Sequence, residues 1–332
     1  MKSTAPPYSV SPVMRAALRE KADAQGRLRF DTFVETALYH PLHGYYRRNA
    51  PRVGRDDQTD FYTSESLGPV FGRLIADAAT AILPSNQTPE QTTFLEIGAE
   101  EGRHVLDEID HRFAATATVP VGTPLEIPGR AVVFSNELFD AQPFRRFIRL
   151  ASGWHETGVA IGDEGLVECL LDSSAPPHPS LPDHTPIGYR IDLPTGARAL
   201  AEAIASRPWT GLFLAVDYGK TRHALFNDHP EGTARAYHRH RQVPDLLARA
   251  GEQDLTCHIC WDDLEDVLRQ RSFEDIRLER QEAFFIKNAQ AAVEAALSGD
   301  PNAVGTARRQ LMELIHPQYF GTRFQVLSAI RT

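Results

Sequence analysis

The stretch Phe94-Leu95-Glu96-Ile97-Gly98-Ala99-Glu100-Glu101-Gly102 constrains the chain most. An apolar run closes on an acid, a glycine turn follows, and apolar residues then recur at helical spacing (Val105, Leu106, Ile109). The first strand, turn and helix of a Rossmann-like sheet read this way where they hold a nucleoside cofactor. Glycines permit the tight turn, and a helix N-terminus offers free N–H groups to an anion. One position breaks the pattern: Glu100 stands where the middle glycine of such a loop is expected.

The flanking sequence supplies the rest of an α/β sheet. Phe94–Ile97, Ala131–Ser135 and Leu212–Asp217 are continuous apolar runs, the mark of strands covered on both faces. A closing strand is expected at Phe324–Ile330 and another near 254–260. Helical spacing predicts helices over 11–25, from Asp31 to before Pro41, over 67–83, 103–109 and 194–206, and near 243–249 and 262–270. Ser11 before Pro12 is a helix-starting pair. Between the sheet strands the texture changes. Phe144–Leu150, Trp154–Ala160 and Leu166–Leu171 are short β-type runs separated by glycine turns, a meander signature. The expected organisation is a helical N-terminal extension over 1–90 and a Rossmann-like core over 91–143 and 211–332. An inserted β meander and helix over 144–210 would form a substrate or partner region.

A chain of 332 residues can bury one elaborated core or two. Its formal charge of -9 argues against general nucleic-acid binding, which needs basic surface to displace counterions. Three cysteines (Cys169, Cys257, Cys260) are too few for a disulfide scaffold and suit a reducing compartment. The first residues lack a secretory pattern, and no apolar run approaches the ~20 residues of a membrane span. The expectation is a cytoplasmic protein without membrane or nucleic-acid partners.

Three polar clusters follow apolar strands, where open α/β sheets gather ligands. They are the glycine loop, Ser135-Asn136-Glu137-Leu138-Phe139-Asp140, and Asp217-Tyr218-Gly219-Lys220. Each has an ordinary alternative: a plain β–α turn, an Asn-capped helix with first-turn acids, and a strand-ending turn. His238, His240, Cys257, His258 and Cys260 suggest a metal or redox site. Cysteines three apart on a strand point to opposite faces, however, so no metal is expected. Arg235, Arg239 and Arg241 form a local basic patch that reads as a solvated face or a contact for an acidic partner.

Taken in order, these motifs resemble the MidA-like family of S-adenosylmethionine-dependent methyltransferases, which includes a mitochondrial protein-arginine methyltransferase assisting complex I assembly. The resemblance rests on Leu95-Glu96-Ile97-Gly98-Ala99, Asn136-Glu137-Leu138-Phe139-Asp140-Ala141-Gln142-Pro143, Asp217-Tyr218-Gly219, Gly232-Thr233-Ala234-Arg235-Ala236-Tyr237, Gly251–Thr256 and Gly321-Thr322-Arg323-Phe324. Tyr39-His40-Pro41…Gly44-Tyr45-Tyr46 and Phe61-Tyr62-Thr63-Ser64…Phe71-Gly72 look like its opening motifs. The resemblance implies a class I methyltransferase fold and S-adenosylmethionine as cofactor. It implies that Glu96, Gly98, Ala99, Gly102, Asn136 and Asp217 hold the cofactor. It also implies that Asn136, Glu137 and Asp140 line the pocket toward a protein acceptor, by resemblance an arginine. Carboxylates suit a guanidinium, which is planar, cationic and bidentate.

Two departures open the alternative of a methyltransferase-fold binding or assembly factor that has lost its cofactor. Glu100 crowds the loop. Its charge would face the cofactor's own carboxylate, at a cost of roughly 4 kcal/mol for like charges about 4 Å apart near a surface. The segment 103–130 is also short. Only Thr116–Val121 can form a strand there, Pro120 weakens it, no acid ends it, and the following helix is missing. An acid at that tip would hold the ribose hydroxyls. Glu126 is the nearest substitute. A nicotinamide oxidoreductase is a distant third reading, since the chain lacks a complete G-x-G-x-x-G.

Overall fold

The computed structural model describes residues 10–48, 68–100, 102–163, 165–172, 181–239, 241–298, 301–319 and 321–332. Glu101, His240 and the Phe61–Ser64 motif lie outside the described residues. The chain begins with α1 (Pro12–Lys21), β1 (Arg27–Arg29), α2 (Phe30–Tyr39) and α3 (Pro69–Ile82). A β-rich stretch follows: β2 (Thr93–Ile97), β3 (Ala115–Val119), β4 (Arg130–Asn136), β5 (Arg145–Leu150), β6 (Gly153–Ile161), β7 (Leu166–Leu170) and β8 (Arg190–Leu193). Next come α4 (Thr195–Ala205), β9 (Thr210–Asp217), β10 (Gly219–Lys220), α5 (Arg222–Asn227), β11 (Arg235–His238), β12 (Arg241–Val243), β13 (Asp254–Thr256) and β14 (Ile259–Cys260). The chain closes with α6 (Trp261–Gln270), β15 (Glu274–Arg280), α7 (Gln281–Asn288), α8 (Gln290–Leu297), α9 (Pro301–Ile315) and β16 (Gln325–Arg331).

These elements fall into two compact units. One comprises 63–138, 200–219 and 263–332; the other comprises 1–62, 139–199 and 220–262. The division differs from the three-part reading of the sequence. α1 and α2 group with the meander, α3 groups with the large sheet, and residues 220–262 leave the sheet core for the meander unit.

The first unit is built on a six-stranded sheet in the order β15-β16-β9-β4-β2-β3. β3, β2, β4 and β9 run parallel, while β16 is antiparallel to both β9 and β15. This is the expected Rossmann-like sheet. β4 is buried from Ala131 to Ser135 and β9 from Gly211 to Asp217, as continuous apolar strands with both faces covered must be. α3 covers one face. Its apolar stripe (Val70, Phe71, Leu74, Ile75, Ala78) is buried, each large side chain contributing about 2 kcal/mol of transfer free energy. The Phe71 ring meets Phe134 at 6.4 Å and Phe285 at 6.1 Å, and Phe94 sits 5.6 Å from Phe134. Gly72 makes the closest approach: a side chain there would begin 2.2 Å from the Val105 carbonyl oxygen.

The helix expected over 103–109 does not form; residues 105–108 are turns. Side chains compete for the amides a helix would need. The Val105 N–H donates to Glu96 Oε2 at 2.6 Å, Leu106 N–H to His104 Nδ1 at 3.0 Å, and His104 N–H to Asp107 Oδ2 at 2.8 Å. Glu108 then adopts φ +62°, which ends any right-handed helix. The missing second helix is borne out. Residues 120–129 return from β3 to β4 as an irregular crossover, and Thr123 turns back onto the Pro120 carbonyl.

The second unit holds the meander. β1, β6, β5 and β8 form one antiparallel sheet with β7 on β6, and β12, β11 and β13 form another. α2 lays Phe30, Phe33, Val34 and Leu38 into a core shared with Phe144, Val159, Ala236 and Leu255. The helix expected near 243–249 is replaced by turns. Pro244 cannot donate, and Asp245 Oδ1 accepts the Leu247 N–H at 2.8 Å. The strand expected over 254–260 is interrupted at Cys257-His258, where the Cys257 N–H leaves the ladder for the Asp140 carbonyl at 2.8 Å.

Candidate functional site

The carboxyl ends of β2, β4 and β9 lie side by side in the first unit. Gly98 follows β2 at φ +86°, with its N–H extending the pairing to the Val119 carbonyl at 3.1 Å. A side chain at 98 would begin 2.7 Å from Leu138 Cδ1. Glycine is thus required both for conformation and for space. Ala99 is buried and Glu100 half-buried, the latter's carbonyl accepting the Arg103 N–H at 3.0 Å. Gly102 has φ +73° with open space around it, so only its backbone conformation calls for glycine.

Glu96 is buried beside this loop, and its carboxylate holds Val105 from below. His104 Nδ1 lies 3.9 Å from Glu96 Oε2. Burial lowers the His104 pKa, and Nδ1 already accepts from Leu106, so the contact is with a neutral ring and is not an ion pair. Asp217 is fully buried and accepts the Tyr218 N–H at 2.8 Å, closing β9 as an acid-capped turn. Both carboxylates are thus turned to the protein's own backbone.

Asn136 pairs with Val216 at the end of β4, and the Glu137 N–H still reaches the Val216 carbonyl at 2.9 Å. Glu137 then takes φ +50°, a left-handed conformation unusual for a side-chain-bearing residue. No helix begins there, so the capped-helix alternative does not hold. Asn136 Nδ2 donates to Glu137 Oε1 at 3.4 Å, and Asn136 Oδ1 is buried without a hydrogen-bond partner. Such an orphaned acceptor favours a donor brought by a ligand. This amide oxygen and the half-buried Glu137 carboxylate are the features that fit a cofactor with an amino group and a sulfonium. The loop lacks the helix N-terminus that would complement its carboxylate. Glu126 lies exposed on the crossover, lining a groove of about 610 Å³ with Leu95, Ala117, Thr118 and Val119.

Asp140 belongs to the second unit and is buried there. Nearby, Tyr39 and Tyr46 stack at 5.4 Å. Tyr46 donates to Asp254 Oδ1 at 2.9 Å and Tyr39 to the Ala141 carbonyl at 2.9 Å. Burial, then the negative charges of Asp254 and Asp140, push the Tyr39 phenol far above its ordinary range, so it stays protonated. The Cys257 thiol is raised by burial and then by Asp192, which makes it unreactive. Among the described residues no group of three or more His, Cys, Asp or Glu could hold a metal.

The sequence reading missed Asp192. It is buried on β8; its Oδ2 accepts the N–H groups of Thr233 and Ala234, both at 2.8 Å, and its Oδ1 meets Arg146 Nε at 3.0 Å. A side chain at Gly232 would strike it at 2.2 Å. The available signal was the Gly232-Thr233 pair, which requires something to satisfy its turn.

Sheet order and strand ends together define a class I methyltransferase fold. The comparisons agree. A family model described as "Putative S-adenosyl-L-methionine-dependent methyltransferase" matches residues 112–276. The chain is 24% identical to the mitochondrial protein arginine methyltransferase NDUFAF7 of Danio rerio, over 95% of this chain and 86% of that one. The Homo sapiens counterpart is 22% identical, over 97% and 84%. Among solved structures, a COG1565 superfamily member from Burkholderia thailandensis bound to S-adenosyl-homocysteine superposes with a TM-score of 0.82 at 23% identity, covering 96% and 92%. Together these likenesses support a MidA-like family of S-adenosylmethionine-dependent methyltransferases for this chain.

Proposed function

We propose that this protein transfers a methyl group from S-adenosylmethionine to a protein side chain, and that the acceptor is arginine. One observation carries the reading: Gly98, where no side chain fits, ends the strand beside Asn136 with its orphaned amide oxygen and the strained Glu137. The cofactor supplies an activated methyl and its own leaving group. The Gly98 turn ends the strand beside the site, Asn136 Oδ1 accepts a hydrogen bond from the ligand, and the Glu137 carboxylate orients a cationic acceptor. The arginine assignment is supported by the names of the relatives from Danio rerio and Homo sapiens. Cys169, Cys257 and Cys260 form no disulfide, in accord with a reducing compartment, and we place the reaction in the cytoplasm.

A second reading, a binding or assembly factor without cofactor, is favoured by Glu96. Its carboxylate is committed to Val105, and the turn it holds replaces the helix whose N-terminus would face an anion. Calorimetric titration with S-adenosylhomocysteine separates the two. The methyltransferase reading expects saturable binding weaker than about 10 μM, near -7 kcal/mol. Absence of heat at millimolar ligand would leave the second reading. Glu137→Gln should abolish methyl transfer to an arginine-bearing protein while moving stability by less than about 0.5 kcal/mol, since Glu137 is only half-buried.

A further inference from the structure

The meander unit gathers four basic side chains that no part of the proposed reaction uses. Lys220 lies on β10, which pairs with β14 just after His258; Arg235, at the start of β11, pairs with Thr256 two residues before His258; and His229 lies in the turn after α5. All four are half-buried. The His229 and His258 rings meet edge to face at 5.8 Å.

Among the described residues the Lys220 side chain makes no hydrogen bond or ion pair. Arg235 spends Nη1 on the carbonyls of Gly232 and Ala234, at 3.3 and 2.7 Å, and meets no carboxylate. The one acid acting on His229 is its exposed neighbour Asp228. Burial first, then the charges of Lys220, His229 and Arg235, bring the His258 pKa down to about 4. A chain with 44 acids and 35 lysines and arginines has ample means to neutralise such a group internally. It leaves the Lys220 and Arg235 charges beside two imidazoles held neutral, in a partly desolvated place, a cost that a bound anion would remove.

The place is also built. Asp192 pins the Gly232–Arg235 turn through two backbone N–H groups, and Gly232, at φ +77°, leaves that carboxylate the space a side chain would take. Arg235 is therefore held with its remaining N–H groups free of protein carboxylates. The Tyr189 hydroxyl accepts the His229 N–H at 3.0 Å and steadies the turn that carries the imidazole.

We infer that Lys220, His229, Arg235 and His258 form a binding subsite for a compact oxyanion, a carboxylate or a phosphoryl group. Charge-assisted hydrogen bonds from a guanidinium and an ammonium are the strong kind, and a half-buried position spares them full solvent screening. The inference is independent of whether the protein binds S-adenosylmethionine.

The test follows the histidine Cε1–H signals of the full-length protein by NMR. Inorganic phosphate or acetate is added at constant ionic strength and pH, with chloride as the balancing salt. The His229 and His258 signals should shift and saturate at low millimolar phosphate. The Lys220→Gln/Arg235→Gln double variant should weaken that response at least about tenfold, the usual loss when charge-assisted donors go. An unshifted His238 signal in the variant checks that the fold is intact. A stronger response to phosphate than to acetate assigns a phosphoryl ligand, and the reverse order a carboxylate. Shifts that never saturate, or the same saturation curve in a folded double variant, overturn the inference.

Discussion

The two flanks of β2 are built to different thickness. Toward β4, β9 and β16 the sheet is deep: Phe134, Leu214, Val216 and Leu327 are all fully buried. Toward β3 it is thin. Ala115, Thr116 and Thr118 are exposed, no strand among the described residues pairs beyond β3, and the crossover leaves a groove of about 610 Å³ where a helix would pack. The thick flank carries Asn136, whose amide oxygen is buried without a hydrogen-bond partner, and the half-buried Glu137. The thin flank is the one that, in a nucleotide-type fold, would hold the ribose. In this chain the reduction has fallen on the β3 side of β2 and has spared the β4 side.

The difference can be broken at several points. The largest effect is expected on the thick flank. Phe134→Ala should cost about 3–5 kcal/mol, read as a fall in the midpoint of denaturant unfolding at unchanged slope. A loss below about 1 kcal/mol would mean that the flank is looser than its burial implies. Next comes the joint between the flanks. Glu96→Ala strands the buried Val105 N–H and should cost about 1–3 kcal/mol, whereas Glu96→Gln keeps an acceptor and should cost less. Equal losses in the two variants would show that charge, not hydrogen bonding, holds the loop.

Smaller effects are expected on the loop and the thin edge. Glu100→Gly should tighten S-adenosylhomocysteine binding up to about tenfold by removing a like charge near the ligand's carboxylate. Unchanged affinity would move the defect from the loop to the missing ribose acid. Thr116→Ala, on the exposed edge strand, should change stability by less than about 0.5 kcal/mol. A larger loss would reveal a covering partner for β3.

The sequence was most legible where one face or both faces of a strand are buried. The continuous runs of β4 and β9 and the alternating meander announced themselves, because burial imposes period and composition. β15 did not. Glu274-Asp275-Ile276-Arg277-Leu278-Glu279-Arg280 is mostly charged, and it is a strand because β16 offers an edge to pair with. α7, α8 and α9 also went unread. The two false helices, 103–109 and 243–249, failed for a shared reason: a nearby Glu, Asp or His side chain captured an amide, a competition invisible to apolar spacing. The polar motifs fall at the carboxyl ends of β2, β4 and β9, as the sequence placed them, but the sequence did not show which way the acids turn. Glu96 lies two residues after Phe94 and so faces the covered side with it. Asp217 spends its carboxylate on the next residue's amide.

Gly72 ties the thin flank to α3 in a way that bears on how such a chain can change over generations. The space its missing side chain leaves is filled by the Val105 carbonyl, and the amide of that same residue is held by Glu96. A mutation enlarging position 72 would displace Val105, which would release Glu96, which lies directly under the glycine loop. The three positions are therefore not free to drift one at a time. Lineages that abandon the glycine at 72 should be found to have rebuilt 96 and 105 as well.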